Sequence, residues 1–328
     1  MHRRFALLGA GSAALLAWTG GLARAQAQQR PWPERPVRLV IPFPPGGTLD
    51  TVARILSPRL TERLGQPVVV ESKPGAGGLV GTADVARAVP DGYTVLMVFD
   101  THAVNHHLYR NIAFDTFKAF APISLLTTTP MTLVASNKLG VKSVAELVAR
   151  AKAQPRAVSM GHAGPGSSNQ LSALKFSQAA GVVFIEAAYK GAGPLLTDVM
   201  GGHVDVAFIA LPVVIGAIKS GHITGLGVAS AARMPQMPQL PALAESFAGF
   251  DSMSWIGMVA PAGVPRPVLD RLHQEVVAVL QEPSVRAQLG ERGFSVEGST
   301  PAALAAWIQG ESDRLGALIA RNGISAGS

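Results

Sequence analysis

The chain has 328 residues, 48% of them apolar and only 15% charged, which supports one large or two medium folded domains and excludes bulk disorder. Its net charge of +7 is spread along the chain, without the basic cluster and interleaved aromatics of a nucleic-acid surface. There is no cysteine, so neither a disulfide nor a lipid-modified cysteine can form.

Arg3 and Arg4 precede an apolar stretch from Phe5 to Trp18, and Ala23-Arg24-Ala25 supplies small residues where a signal peptidase reads. Residues 1–25 are therefore expected to be a secretory signal peptide, the apolar run being short for a bilayer span. A retained anchor is the competing reading. Arg3-Arg4-Phe5 leaves both the general and the twin-arginine export routes open. Removal of this segment lowers the net charge to +4, with 25 basic against 21 acidic residues. No later run suits a transmembrane helix, so the periplasm of a Gram-negative cell is the expected location.

From Pro36 the pattern alternates between strand and helix. A buried strand is predicted over Val37–Phe43, followed by a Pro/Gly turn. Leu49, Val52, Ala53, Leu56, Leu60 and Leu64 then make one helical face, closed by Gly65. Further strands are predicted at Val68–Glu71 and Tyr93–Phe99, with a helix from Leu79 between them. A second set follows, with strands near Met131–Ser136, Ala157–His162, Val183–Ala187, Val204–Ile209 and Thr224–Ala229. Its helices are expected from Ser143, through Leu171 and Leu174, and from Pro194. Ser254–Ala260 reads as extended, and two helical stripes end the chain. Strands separated by helices imply parallel pairing in an α/β layered fold. Extended segments near Thr127–Ser136 and Phe250–Ala260 suggest two lobes joined by two crossing strands. The first lobe is expected over 26–130 and 252–328, and the second over 131–251.

Strand-to-helix junctions carry ligands in open α/β sheets. Here they are Pro42–Asp50, Asp100–Ala103, Gly161–Asn169 and Tyr189–Gly193, all rich in Gly, Ser, Thr or Pro and free of arginine. Glycine admits a ligand to the backbone, and the free N–H groups of a helix start suit an anion. One helix start contributes roughly 0.3–1 kcal/mol toward an anion, whereas micromolar affinity needs about 8 kcal/mol. Direct hydrogen bonds and apolar contact must supply the rest, with Phe43 as a wall. Any single loop could equally be only a turn and a helix cap.

Other motifs carry less. Gly75–Gly81 resembles a dinucleotide fingerprint, but its last glycine is one residue late. The Gly164–Ser168 segment is not a nucleophile elbow. His102 and His106 lie four apart but lack the acid of a zinc helix, so no metal or cofactor is expected. An exported hydrolase using His102 or His162 as base is the second reading, without an identifiable nucleophile. Asp205 is expected to pin a loop through backbone hydrogen bonds.

The strings WPERPVRLVIPFPPGGTLDTVARIL, LGQPVVVESKPGAGGLVGTADVARAVPDGYT, GHAGPGSSNQL, YKGAGPLLTDVMGGHVDV and SWIGMVAPAGVPRPVLDRL together resemble the substrate-binding receptors of tripartite tricarboxylate transporters, also called Bug receptors. The resemblance implies a type II periplasmic binding fold that closes on a carboxylated solute for a membrane transporter, or a sensor component using the same fold. It implies ligand contacts at Phe43, Gly47, Thr48, Thr101, His102, Ala163, Gly166, Ser167, Ser168, Tyr189 and Ala210. It also implies a monomer with no catalytic step. Gln170 stands where the family commonly has histidine, and Glu186-Ala187-Ala188 replaces a common His-Val-Pro. Ala210 sits where Asp or Asn is frequent, which implies a less polar far end of the cleft.

Overall fold

The computed structural model describes residues 32–326, so the expected signal peptide lies outside the described residues. The chain runs β1 (Val37–Ile41), α1 (Thr48–Leu64), β2 (Val68–Ser72), α2 (Leu79–Ala86), β3 (Thr94–Phe99) and α3 (Asp100–Leu108). After the long β4 (Phe120–Ser136) come α4 (Val144–Ala153), β5 (Ser159–His162), α5 (Ser168–Ala180), β6 (Ile185–Ala188), α6 (Ala192–Gly201) and β7 (Val206–Ala210). Then follow α7 (Leu211–Lys219), β8 (Ile223–Val228), β9 (Met253–Pro261), α8 (Arg266–Gln281), α9 (Pro283–Glu291), β10 (Ser295–Val296) and α10 (Pro301–Arg321).

Strand order is β2-β1-β3-β9-β4 on one side and β4-β7-β5-β6 on the other, with β8 and β10 also on β4. The fold is an α/β arrangement of two lobes, and β4 belongs to both. Its first part pairs with β9 from Phe120 to Pro130, and its last part with β7 and β8 from Met131 onward. A second crossing lies beside it, where the Met131 N–H donates to the Ser252 carbonyl and the Ser252 N–H donates to Ala229. The C-terminal elements return to the first lobe, with β10 antiparallel to β4 at Thr127 and Thr128.

Each sheet is covered on both faces, which is why its strands read as unbroken apolar runs. Val37, Leu39 and Ile41 of β1 pack with α1 and α8, while Val40 joins Leu96, Val98 and Trp255 on the opposite face. In the second lobe Leu133 packs with Phe176 and Phe208, and Val134 with Leu195 and Ile209. Alternate residues thus feed separate cores.

Several elements depart from the sequence expectation. Asp100–Ala103, read as a junction, is the first turn of α3. Its Thr, Asn and His residues are weak helix formers, and burial of Ala103, Val104 and Leu108 holds the helix instead. The apolar α7 and the short α9 were not distinguished from their surroundings.

Candidate ligand cleft between the lobes

Strand direction decides where the junctions meet. Both β3 and β4 are antiparallel to β9, so β4 leaves the first lobe in the direction of β1 and β3. In the second lobe β7 runs against β4, with β5 and β6 parallel to β7. The carboxyl ends of β1 and β3 therefore point toward those of β5, β6 and β7. Five helix starts converge between the lobes: α1, α3, α5, α6 and α7. Four of them, beginning after Gly47, Phe99, Gly191 and Ala210, have no side-chain cap. Only α5 is capped, by Ser167, whose hydroxyl accepts from the Gln170 N–H. Uncapped starts leave backbone N–H groups for an anion.

The loop after β1 is braced from below. The Asp50 carboxylate accepts from the Gly46 N–H, one residue before the helix cap, at 2.9 Å and from Arg54 at 2.9 Å. Burial works to raise the Asp50 pKa, but Arg54 and the Gly46 N–H outweigh it and hold the carboxyl below its ordinary range. Phe43 is half-buried, its ring 5.8 Å from Phe99 and edge-on to it. Gly78, at φ +93, lies under that ring, and an added Cβ would come within 3.3 Å of it. Gly78 thus packs against the loop after β1. Gly47 is exposed and Thr48 half-buried at the start of α1. Replacing Asp50 with alanine is expected to free Gly46 and weaken cleft binding about tenfold, with about 1–2 kcal/mol lost in stability. Calorimetric titration and denaturant unfolding of the same variant check both.

Across the gap, the β5–α5 loop is largely held by its own groups. The Ser167 hydroxyl donates to the Gly164 carbonyl at 2.7 Å, and the Gly166 N–H donates to Gln170 Oε1 at 2.8 Å. His162 Nδ1 accepts from the Gly164 N–H at 3.3 Å. Ala163 is half-buried beside them, and Ala210 is buried at the end of β7. The Tyr189 hydroxyl donates to Asp198 at 2.8 Å. Asp205 takes the anchoring role expected of it, accepting from both the N–H and the hydroxyl of Ser159 at 2.8 Å.

Ser168 is tied to the first lobe by a residue outside the expected contacts, the neighbour of the half-buried Thr101. Asp100, only 3% exposed, accepts from the Ser168 hydroxyl across the lobes. It also accepts from the Ser254 hydroxyl at 2.8 Å and the Trp255 N–H at 2.8 Å within the first lobe. Burial pushes the Asp100 carboxyl up to about 7. The bonds from Ser168, Trp255 and Ser254 act the other way, and Glu311 pushes it further up. An acid directly at the end of a strand, in a cleft otherwise poor in charge, was the available signal.

Gly166 also packs across the lobes, against Leu108 of α3. Leu171 of α5 joins Val104, Leu108, Leu315, Leu318 and Ile319 in an apolar cluster drawn from both lobes. His102 sits differently from the loop imidazole expected of it. It is 6% exposed, its ring lies 5.3 Å from Phe120, and burial lowers its pKa to about 4, with His106 adding to the effect. His106 instead lies against His107 and Ser312, with ring centroids 3.9 Å apart for the two histidines.

The profile of the tripartite tricarboxylate transporter family receptors matches residues 52–324. The chain belongs to this family. Relatives of these receptors match over nearly full length. A Pseudomonas sp. protein described as a UPF0065 protein in the tcbD-tcbE intergenic region is 33% identical over 313 residues, 95% of this chain and 93% of the relative. The structure of the periplasmic binding protein BugD is 34% identical, with a TM-score of 0.82 over 90% of this chain and 99% of BugD. An R. palustris family structure with adipate is 32% identical, with a TM-score of 0.85 over 90% of this chain and 99% of its own. Among the described residues no helix of this receptor is long and apolar enough to cross a membrane.

Proposed function

We propose that the chain is a periplasmic receptor that captures a small carboxylate between its lobes and presents it to a tripartite tricarboxylate-type transporter. The observation that carries this reading is the convergence of uncapped helix starts from both lobes onto one gap. The adipate held by a relative of the same fold supports the ligand class. The ligand-contacting set is taken as Phe43, Gly47, Thr48, Thr101, Ala163, Gly166, Ser167, Ser168, Tyr189 and Ala210. The carboxylate would meet backbone N–H groups and hydroxyls, since the junctions hold no arginine. The buried neighbourhood of Ala210 suits an apolar far end of the solute.

The lobes divide at 130/131 and 251/252, where β4 changes partners and Met131 bonds to Ser252. Export by cleavage near Ala25 and a monomeric state complete the reading. No enzymatic step is assigned. Burial lowers the His102 pKa to about 4, and among the described residues no carboxylate is hydrogen-bonded to it, so it does not suit a general base.

A thermal-shift panel of mono- and dicarboxylates on residues 26–328, adipate included, tests this. A true ligand at 100 times its Kd should stabilise the fold by about 2.7 kcal/mol. If no organic acid shifts the melting temperature, the receptor reading is wrong.

A further inference from the structure

Between α5 and the strands β5 and β6 of the second-lobe sheet, β6 being its edge, lies a pocket of about 230 Å³. Its floor is apolar: Met160, Ala173, Leu174 and Phe184. Its rim carries Glu186, His162, Gln170 and Ser177, with Asn322 reaching in from the end of α10 in the first lobe. No Lys or Arg lines it.

We propose that this pocket is a second small-molecule site, separate from the cleft, which takes a compact primary ammonium ion with an apolar body. The argument starts from Glu186, the one formally charged side chain in the lining. Its carboxylate is only loosely held. Gln170 Nε2 stands 3.4 Å from Glu186 Oε2, and His162 Nε2 stands 3.6 Å from the same oxygen. Both distances are at or beyond the limit of a hydrogen bond, so a carboxylate with about four acceptor positions keeps most of them open.

The two neighbours cannot swing over to close the gap. His162 is 4% exposed and its Nδ1 is engaged by the Gly164 N–H, so in the neutral ring the remaining proton sits on Nε2 and faces Glu186. Gln170 is 8% exposed, its Oε1 held by the Gly166 N–H. The site is thus one carboxylate acceptor, Glu186, flanked by two fixed N–H donors above an apolar floor. An ammonium donates to the open acceptor positions of Glu186 while its carbon body covers the floor. A carboxylate would meet the charge of Glu186 with no cation to compensate. The volume lies below the usual range of about 300–1,000 Å³ for ligand pockets, which restricts the body to one ring or a short chain.

Calorimetric titration of the mature chain with phenethylamine at neutral pH tests the site, with 2-phenylethanol as the uncharged counterpart of the same shape. Saturable binding of the amine is expected, with the alcohol at least about tenfold weaker. Glu186→Gln, a change at an exposed rim position that leaves the fold intact, should weaken the amine by about tenfold or more. Ser177→Phe should abolish binding by filling the pocket while sparing the carboxylate. Equal affinity for amine and alcohol, undiminished binding by Glu186→Gln, or no saturable heat at millimolar amine would each overturn the proposal.

Discussion

Replacing Asp100 with alanine should destabilise the protein by about 3 kcal/mol and loosen the contact between the lobes. The change strands three donors at once: the hydroxyls of Ser168 and Ser254 and the N–H of Trp255. Each unsatisfied buried group costs about 1–3 kcal/mol, and removal of a poorly solvated carboxyl returns part of that. Asparagine, which keeps an acceptor for Trp255, should cost less. The two variants also separate charge from shape through pH. The Asp100 pKa is raised in the folded state from 3.8 to about 7, so between these values the native protein holds a proton that the unfolded chain has released. Its contribution is fully present below about pH 4 and is lost as pH rises toward 7. Between pH 5 and pH 7 wild type should therefore lose about 2 kcal/mol relative to Asp100→Asn. Urea unfolding of both proteins across that range measures the difference, and parallel curves would show that the carboxyl titrates as it does in the unfolded chain.

Gly166→Val should impair lobe contact more than any other single change in the cleft loops. The residue has φ +67, a left-handed conformation costly for a β-branched side chain, and an added Cβ would lie 2.2 Å from Leu108 Cδ1. Leu108 cannot retreat freely because Val104, Leu171 and Leu315 surround it in the shared cluster. Backbone strain of roughly 1–2 kcal/mol then adds to the displaced contact. Scattering of the variant should show a larger radius of gyration, and affinity for any carboxylate that stabilises wild type should fall by at least about tenfold. Gly47→Ala makes a useful contrast, since its added Cβ meets nothing closer than 3.7 Å. Unchanged compactness in Gly166→Val would mean that Leu108 repacks and that this contact does not govern closure.

These two residues mark the boundary of what the chain disclosed before its fold was known. Gly166 was legible as part of a strand-to-helix loop, because Gly and Ser after a short strand open a helix. Its contact with Leu108 was not, because the partner sits in a helix built from poor helix formers. Asp100 was legible as the start of a strand-to-helix junction, but not as a link between the lobes. Its partners Ser168 and Ser254 lie 68 and 154 residues away, and no local pattern links them. His102 shows the converse. An imidazole four residues from another looked accessible, yet packing against Phe120 buried it.

By itself the sequence determined the alternation of strands and helices, the turns between them and the export-like leader pattern, because periodicity, Gly and Pro act over a few residues. It also determined that the strand-to-helix junctions proposed to hold the ligand lack arginine. Tertiary structure alone decided that β4 serves both lobes, that Asp100 joins them, and which glycine carries packing and which stays open. Those outcomes depend on desolvation and contact between distant segments, which exist only once the sheets have formed.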